Sequence, residues 1–412
     1  IAYNTAKSNA RIYNWEQIGN NVYANLFTPT KQETKAVNKL ISKLGLEKLS
    51  SDEAKIRALE QFAKTSIVFK EIDEYITVDK MLDIKYGNSS SLQRLYVGVA
   101  NELQIPIEVV VTTDRFERKF DATFQSLNSA LEYLLYFPSI GKYLAAEDFF
   151  TRLGYPTAGL SGQKGIFIKE TSIGDIKTGV TKVKNIEATD VKYTYNNLDL
   201  NVTFESESLT PIVKVKHTFM GYLAASLQAT IPLLDKEKRK EVEEDLSKFM
   251  GVETVVKSTS LKGIDSKDVM VNPFIVESTI ETPHLIENAG KKYLFKVGEM
   301  IGAQEQLYQE KQRQTDAEIL FTHSYERNFE IKIPAGYKAK NLENLAIDKR
   351  YVIDGKELAT FVSTYKVEGD VIKINIIEVY KTLYYPKANF ETYRSVINAS
   401  ADFNKVIIIF EK

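Results

Sequence analysis

The sequence predicts an α+β fold in two parts: a mixed helix-and-strand core to about residue 170, then a β-rich region over 171–412 made of one or two sandwich-like units, dividing near residue 310. Three observations predict it. Apolar side chains recur at helical spacing in two early segments, Ile56, Leu59, Phe62, Ala63, Ile67 and then Leu92, Leu95, Tyr96, Val99, Leu103. From about residue 187 the apolar period changes to two. The 412 residues also exceed one ordinary core, which makes two or three units the expectation.

In chain order, Ser50 followed by Glu53 fits a capping box opening the first helix, with Lys55, Arg57, Glu60 and Lys64 between its apolar positions. The second helix starts after Ser89 and stops at Pro106, and Ile107–Val111 is an apolar run suited to a buried strand. The stretch from Gly154 to Gly165 reads as a loop leading into a strand at Ile166–Ile168. Val191, Tyr193 and Tyr195 alternate before Asn196-Asn197, and Leu198, Leu200, Val202 and Phe204 alternate after it, which predicts a β-hairpin turning at the two asparagines. Val213, Val215, His217 and Phe219 share one face of the next strand. One helix interrupts the β region, lined by Val242, Leu246, Phe249 and Met250, with Gly251 where a C-cap would fall. The end is a meander, Tyr351–Ile353, Leu358–Val367 and Val371–Tyr380, turning at Asp354-Gly355 and Gly369-Asp370. A helix carrying Phe390, Tyr393, Val396, Ile397 and Phe403 and a strand over Val406–Phe410 follow.

Composition narrows the function classes. Hydrophobic residues make up 43% and charged residues 26%, the profile of a soluble, packed protein. Lys+Arg number 54 against 55 Asp+Glu, so the basic excess a nucleic-acid binder uses against phosphates is missing. No apolar stretch reaches the roughly 18–20 residues that span a bilayer. Cysteine is absent, which removes disulfides, thiolate metal sites and cysteine nucleophiles together. The chain begins at Ile1, so it reads as a processed or truncated product whose missing export signal says nothing of its compartment.

Several segments together resemble bacterial multidomain transglutaminase-like proteins, whose core is related in fold to papain-type cysteine proteases. Tyr13-Asn14-Trp15-Glu16-Gln17-Ile18-Gly19 is similar to the tryptophan-containing segment just before that core, and Ser51-Asp52-Glu53-Ala54-Lys55 to the start of its first helix. The most specific match is Tyr86-Gly87-Asn88-Ser89-Ser90-Ser91, where active members read Tyr-Gly-Asp-Cys-Lys-Asp. Ile331-Lys332-Ile333-Pro334-Ala335-Gly336-Tyr337 resembles a signature of the β domain that follows the core. The resemblance implies a cleft with cysteine at a helix N-terminus, activated by the helix dipole and a histidine that an aspartate orients.

Carried over residue by residue, that triad is erased. The cysteine position is Ser89; the histidine position matches Ser129, in Leu127-Asn128-Ser129; the aspartate position matches Ala145, in Leu144-Ala145-Ala146-Glu147. The three histidines, His217, His284 and His323, all lie in the β region, and none precedes Lys216. Tyr86, Asn88, Ser89 and Asn128 then line a vestigial cleft.

Plainer readings weigh against sharper ones. A serine hydroxyl needs a base within reach, and Ser89 or Ser90 reads first as a helix cap. Lys85 is a neighbour in sequence that could serve as that base, although most such lysines are solvated. The histidines have no metal-ligand spacing, and Glu147-Asp148, like Glu71 and Asp73, reads as surface or capping. Tyr133, Tyr136 and Tyr143 could form a stacking platform for sugar or peptide, though core or cross-strand packing is the commoner role. The matches to a glycosylation sequon at Asn88, Asn201 and Asn398 are incidental in a bacterial protein, the origin the resemblance implies.

The resulting expectation is a non-catalytic pseudoenzyme, exported to the periplasm or cell surface, that binds a peptide, protein or glycan or has a structural role in the cell envelope. It requires no cofactor and no metal. The alternative is a residual hydrolase or acyltransferase with Ser89 as nucleophile.

Overall fold

The computed structural model describes residues 14–125, 132–308 and 313–412. The chain divides into two compact units, Ile1–Thr189 and Asp190–Lys412.

Unit 1 opens with helices α1 (Trp15–Leu26) and α2 (Lys31–Leu44), each started by a full capping box, Asn14 with Gln17 and Thr30 with Glu33. In α3 (Asp52–Ser66) the cap is Ser51, which accepts from the Ala54 amide. The expected Ser50–Glu53 box does not form, because the cap falls one residue later and puts Ala54 at the third helical position, leaving Glu53 to pair with Arg57 and Lys142. Next come β1 (Val68–Phe69), α4 (Val78–Ile84), β2 (Tyr86–Gly87), α5 (Ser89–Glu102) and β3 (Glu108–Thr112), the last buried at all five positions as the apolar run predicts. With β4 (Glu132–Phe137), β5 (Lys142–Leu144), β6 (Gln163–Ile173) and β7 (Ile176–Ile186), β3 builds an antiparallel sheet in the order β5-β4-β3-β6-β7. The long β6–β7 hairpin belongs to this sheet, so the unit ends near residue 189 and a boundary at 170 would cut through β6.

Unit 2 contains β8 (Tyr195–Phe204), β9 (Pro211–Met220), α6 (Tyr222–Thr230), α7 (Lys236–Ser247), β10 (Val255–Lys262), β11 (Phe274–Glu281), β12 (Ile286–Ala289) and β13 (Lys292–Phe295). There follow β14 (Ala317–Glu318), β15 (His323–Lys332), β16 (Lys338–Lys340), β17 (Ile347–Ile353), β18 (Lys356–Glu368), β19 (Val371–Tyr380), β20 (Tyr384–Tyr385), α8 (Phe390–Phe403) and β21 (Ile408–Glu411). Among the described residues the largest sheet has the order β10-β11-β9-β8-β15-β19-β18-β17, and a second runs β12-β13-β21-β16. Because β15 pairs in parallel with β8 and antiparallel with β19, one sheet runs across the division expected near residue 310. One core joins Phe329, Ile331 and Ile374 of the large sheet to Phe295 and Phe410 of the small one and to Val396 and Phe403 of α8.

The terminal meander forms as its turns dictate, with Asp354 and Gly355 both left-handed (φ 49° and 73°), the backbone a two-residue hairpin loop needs. The hairpin expected at Asn196-Asn197 does not form. Both asparagines lie inside β8, opposite Phe219 and Thr218 of β9 and Tyr325 and Glu326 of β15, and Val191–Tyr193 is a 3₁₀ turn. Tertiary pairing on both edges overrides the local turn preference of asparagine. A short apolar helix, α6, was not expected, and α7 ends at Ser247 with Lys248 as its C-cap, so Gly251 does not cap it. No helix among the described residues is long and apolar enough to cross a membrane.

A buried charge pair organises the helices of unit 1. Glu33, fully buried, takes Arg94 of α5 at 2.5 Å, the Thr30 amide at 2.8 Å and the Val78 amide at 3.1 Å, so one carboxylate ties the starts of α2 and α4 to the middle of α5. Burial raises the pKa of this carboxyl, and the bonds from Arg94, Thr30 and Val78 outweigh burial and hold it below its ordinary value. Removing one partner of such a pair strands the other charge. Glu33→Ala is expected to cost about 3–5 kcal/mol, read by urea unfolding through Trp15, the single tryptophan and a buried residue of unit 1. A loss below about 1 kcal/mol, the worth of an exposed pair, would contradict this assignment.

Candidate functional site

The site begins where β2 hands over to α5. Gly87 has no room for a side chain: a Cβ there would lie 2.4 Å from the Met81 sulfur and 2.7 Å from the Ser91 hydroxyl. Asn88 is the N-cap. Its Oδ1 accepts from the Ser91 amide at 3.1 Å, while Ser91 Oγ accepts from the Asn88 amide at 2.9 Å, a closed capping box. The Asn88 side-chain amide donates to the carbonyls of Ile72 and Glu74, which fixes the 72–74 segment beside the helix start. Capping therefore falls to Asn88, and the readings of Ser89 or Ser90 as the cap are corrected. Ser89 is the first helical residue, its hydroxyl released from backbone duty.

That hydroxyl donates to Glu147 Oε1 at 2.5 Å. Gln93, one turn further along α5 and fully buried, donates its amide to the same oxygen at 3.1 Å. Burial pushes the Glu147 carboxyl above its ordinary value, the Ser89 and Gln93 bonds draw it back, and the negative charge of Glu71 adds to the rise. Glu132 at the head of β4 is raised too, by burial first and then by the fields of Glu147, Asp114, Glu117 and Glu71. The mouth of α5 is thus an acidic place, bordered by exposed Phe69, Ile72 and Tyr75.

The loop that delivers Glu147 is pinned by a second buried pair. Lys64 and Glu60 of α3 meet at 3.0 Å; Lys64 donates to the Thr151 carbonyl at 2.6 Å and Glu60 accepts from the Leu153 amide at 2.9 Å. Next to Glu147, Asp148 accepts from the Phe150 amide and the Thr157 hydroxyl and closes the loop on itself.

Of the residues expected at the site, Tyr86, Asn88 and Ser89 are together, Tyr86 with its ring under Lys70 Nζ at 3.8 Å. Asn128 and Ser129 lie outside the described residues. Ala145 is buried in a small apolar cluster with Val110, Leu134, Leu160, Phe167 and Ile186, an environment hostile to an aspartate. The carboxylate that does reach Ser89 comes two residues later, from Glu147, which the sequence had suggested was surface or capping. Gln93 was also passed over, though its i+4 spacing from Ser89 places it on the same face of α5. The tyrosine platform divides. Tyr136 and Tyr143 pack on each other at 4.8 Å and edge-on to Phe167, whereas Tyr133 packs on the main core within the field of Glu147. Lys85 donates to the Leu82 carbonyl at 2.6 Å, and the three imidazoles are engaged inside unit 2 by Asn196, the Met250 carbonyl and the Phe321 carbonyl. Among the described residues no three His, Asp or Glu side chains gather as a metal-binding group.

The raised Glu147 carboxyl has a measurable consequence. The folded chain holds that proton more tightly than the unfolded chain, so its contribution to stability falls as pH rises from the ordinary carboxyl value through the raised one. The difference in stability between wild type and Glu147→Gln, followed by urea unfolding from pH 4 to pH 8, is expected to move against wild type across that window. A difference that is flat, or moves the other way, would contradict the burial of this carboxylate.

Residues 291–410 match the family model described as a domain of unknown function with a solved structure, DUF3858. Among solved structures, a "putative protease" from Parabacteroides distasonis superposes with a TM-score of 0.51 at 12% identity, over 97% of this chain and 59% of that one. This chain therefore spans about three-fifths of that protein's length. No curated protein matches the sequence. The likeness is one of fold: a mixed α/β chain with several antiparallel sheets, ending in a segment that matches DUF3858.

Proposed function

We propose that this chain is a non-catalytic transglutaminase-like protein that keeps a papain-like cleft in unit 1 and uses it, or the β surfaces of unit 2, to bind a peptide, protein or glycan at the bacterial cell envelope. The observation that carries the reading is the condition of Ser89. It occupies the helix position of a nucleophile, yet its hydroxyl is tied to a carboxylate in a unit that contains no histidine. An alcohol is a far weaker acid than any carboxyl group, so moving its proton to Glu147 is steeply uphill. Gln93 bonds the same oxygen and lowers its basicity further. The trio acts as a latch holding the 145–157 loop to the start of α5. Three further features support the lineage: a helix opening at the site and leading into a buried central strand, a DUF3858 match over the stretch that resembles the β domain after the core, and a neighbour of the same fold described as a "putative protease".

One observation favours a second reading. A base within 2.5 Å of a serine at a helix N-terminus is the minimum for a serine hydrolase or acyltransferase, with Glu147 as general base and first-turn amides of α5 as oxyanion donors.

The two readings separate in a single experiment. The full chain is screened against a peptide array and a glycan array, and each captured ligand is recovered and weighed by mass spectrometry. The binding reading expects ligands that are held and returned intact by both wild type and Ser89→Ala. Ligands returned cleaved or acyl-transferred by wild type alone would establish the second reading, and arrays without any captured ligand would retire the first.

A further inference from the structure

A second polar constellation lies wholly inside unit 2, on the core-facing side of the large sheet. Along β15 that face reads His323, Tyr325, Arg327, Phe329, Ile331: hydrocarbon in its second half, polar and aromatic in its first. The strand register brings Glu378 opposite Tyr325 on one side and Asn196 opposite it on the other, with His217 one strand further, opposite Leu198. Between this end of the sheet, α8 and the 301–305 segment is a cavity of about 400 Å³, inside the size range of small-molecule sites.

Its chemistry is specific. Arg327 and Glu378, almost fully buried, pair at 2.8 Å, and the Tyr380 hydroxyl donates to the other Glu378 oxygen at 2.8 Å, so the charges at the back of the cavity cancel. The ring of His217 is held at Nε2 by Asn196 Oδ1 at 2.6 Å; an amide oxygen only accepts, so Nε2 carries the hydrogen and Nδ1 is a bare acceptor. That Nδ1 has no partner among the described residues, in a side chain only 8% exposed. Burial and the charge of Arg327 push this imidazole down to about 3, so it stays neutral. His323 repeats the pattern: Nδ1 donates to the Phe321 carbonyl at 2.9 Å, which leaves Nε2 as an acceptor, and burial lowers this ring as well. Aromatic rings frame the two, with Tyr380 4.9 Å and Tyr325 5.3 Å from His323.

We propose that this cavity binds a neutral, hydroxyl-rich ligand, the size of one or two sugar rings. The uncharged His323 acceptor on the cavity wall calls for an O–H donor, since an acceptor left unpaired there is costly, while His217 Nδ1, with almost no accessible surface, lies behind that wall. The cancelled ion pair offers nothing to a net charge, Glu305 on the exposed side of the cavity repels anions, and tyrosine rings offer apolar faces to the C–H side of a sugar. The inference gives the binding function a ligand class yet stands on unit 2 alone, so a catalytic Ser89 would leave it untouched.

With three histidines in the chain, the test is a direct one. Full-length protein carrying ¹⁵N-histidine is titrated with glucose, N-acetylglucosamine and maltose, with glucosamine and glucuronate as charged controls, and the imidazole nitrogens are followed by NMR. The expected result is a saturable shift of His323 Nε2 with a neutral sugar, while His284 stays still. His323→Phe, read at His217, is expected to weaken binding about tenfold or more, the worth of one hydrogen bond in a dry site. Ala303→Trp fills the mouth from an exposed position that a folded chain tolerates, and should abolish the shift. The proposal is overturned if no neutral sugar moves His323 by about 50 mM, a concentration at which even millimolar affinity saturates. It is equally overturned if the charged controls bind in their place, or if the shift survives Ala303→Trp.

Discussion

A charge taken out of water must be matched where it lies, and unit 1 is arranged around that constraint. Glu33 is satisfied by Arg94 and two backbone amides, Glu60 by Lys64 and the Leu153 amide. Each carboxylate gathers segments far apart in sequence. The first sets α5 against α2 and α4, and with it the place of Ser89; the second sets the loop that carries Glu147. The two halves of the candidate site are therefore located by buried ion pairs rather than by the site's own contacts.

Chemistry at the site follows from what those pairs bring together. A helix N-terminus favours a negative charge, and Glu147 supplies one without a cation beside it. Serine and glutamine donate to that charge, so the groups that could have served a reaction stabilise a loop instead. In unit 2 the balance differs. Arg327 and Glu378 cancel each other at the back of a cavity, and the neutral ring of His323, with Glu305 on the exposed side, is left to define what may enter.

Much of the fold was legible because it is locally written. The apolar rows of α3 and α5, the five-residue run of β3 and the Asp354-Gly355 turn each announce themselves by period or by backbone need. Where tertiary pairing decides, the sequence misleads. Asn196-Asn197 looks like a turn but sits mid-strand, since β9 and β15 hold both edges of β8 and the Asn196 side chain is required by His217. Of the β6–β7 hairpin only Ile166–Ile168 was legible, because β7 buries a single side chain, Ile186, and Lys177, Lys182 and Lys184 interrupt its apolar positions. At the site, the start of α5 was visible and its cap was misplaced by one residue. Glu147 was invisible as a partner because 58 residues separate it from Ser89, and no local pattern marks a loop that two buried groups on another helix fix in space.

The account stands on Ser89 being unable to attack. Its most direct test is reaction of the full chain with a fluorophosphonate, which captures activated serines, followed by intact-mass and peptide mapping from pH 4 to pH 9, so that Glu147 is sampled on both sides of its raised pKa. The prediction is no adduct at Ser89 at any pH. A stoichiometric adduct on Ser89 that grows as Glu147 ionises and vanishes in Glu147→Gln would contradict it and make this carboxylate a working base.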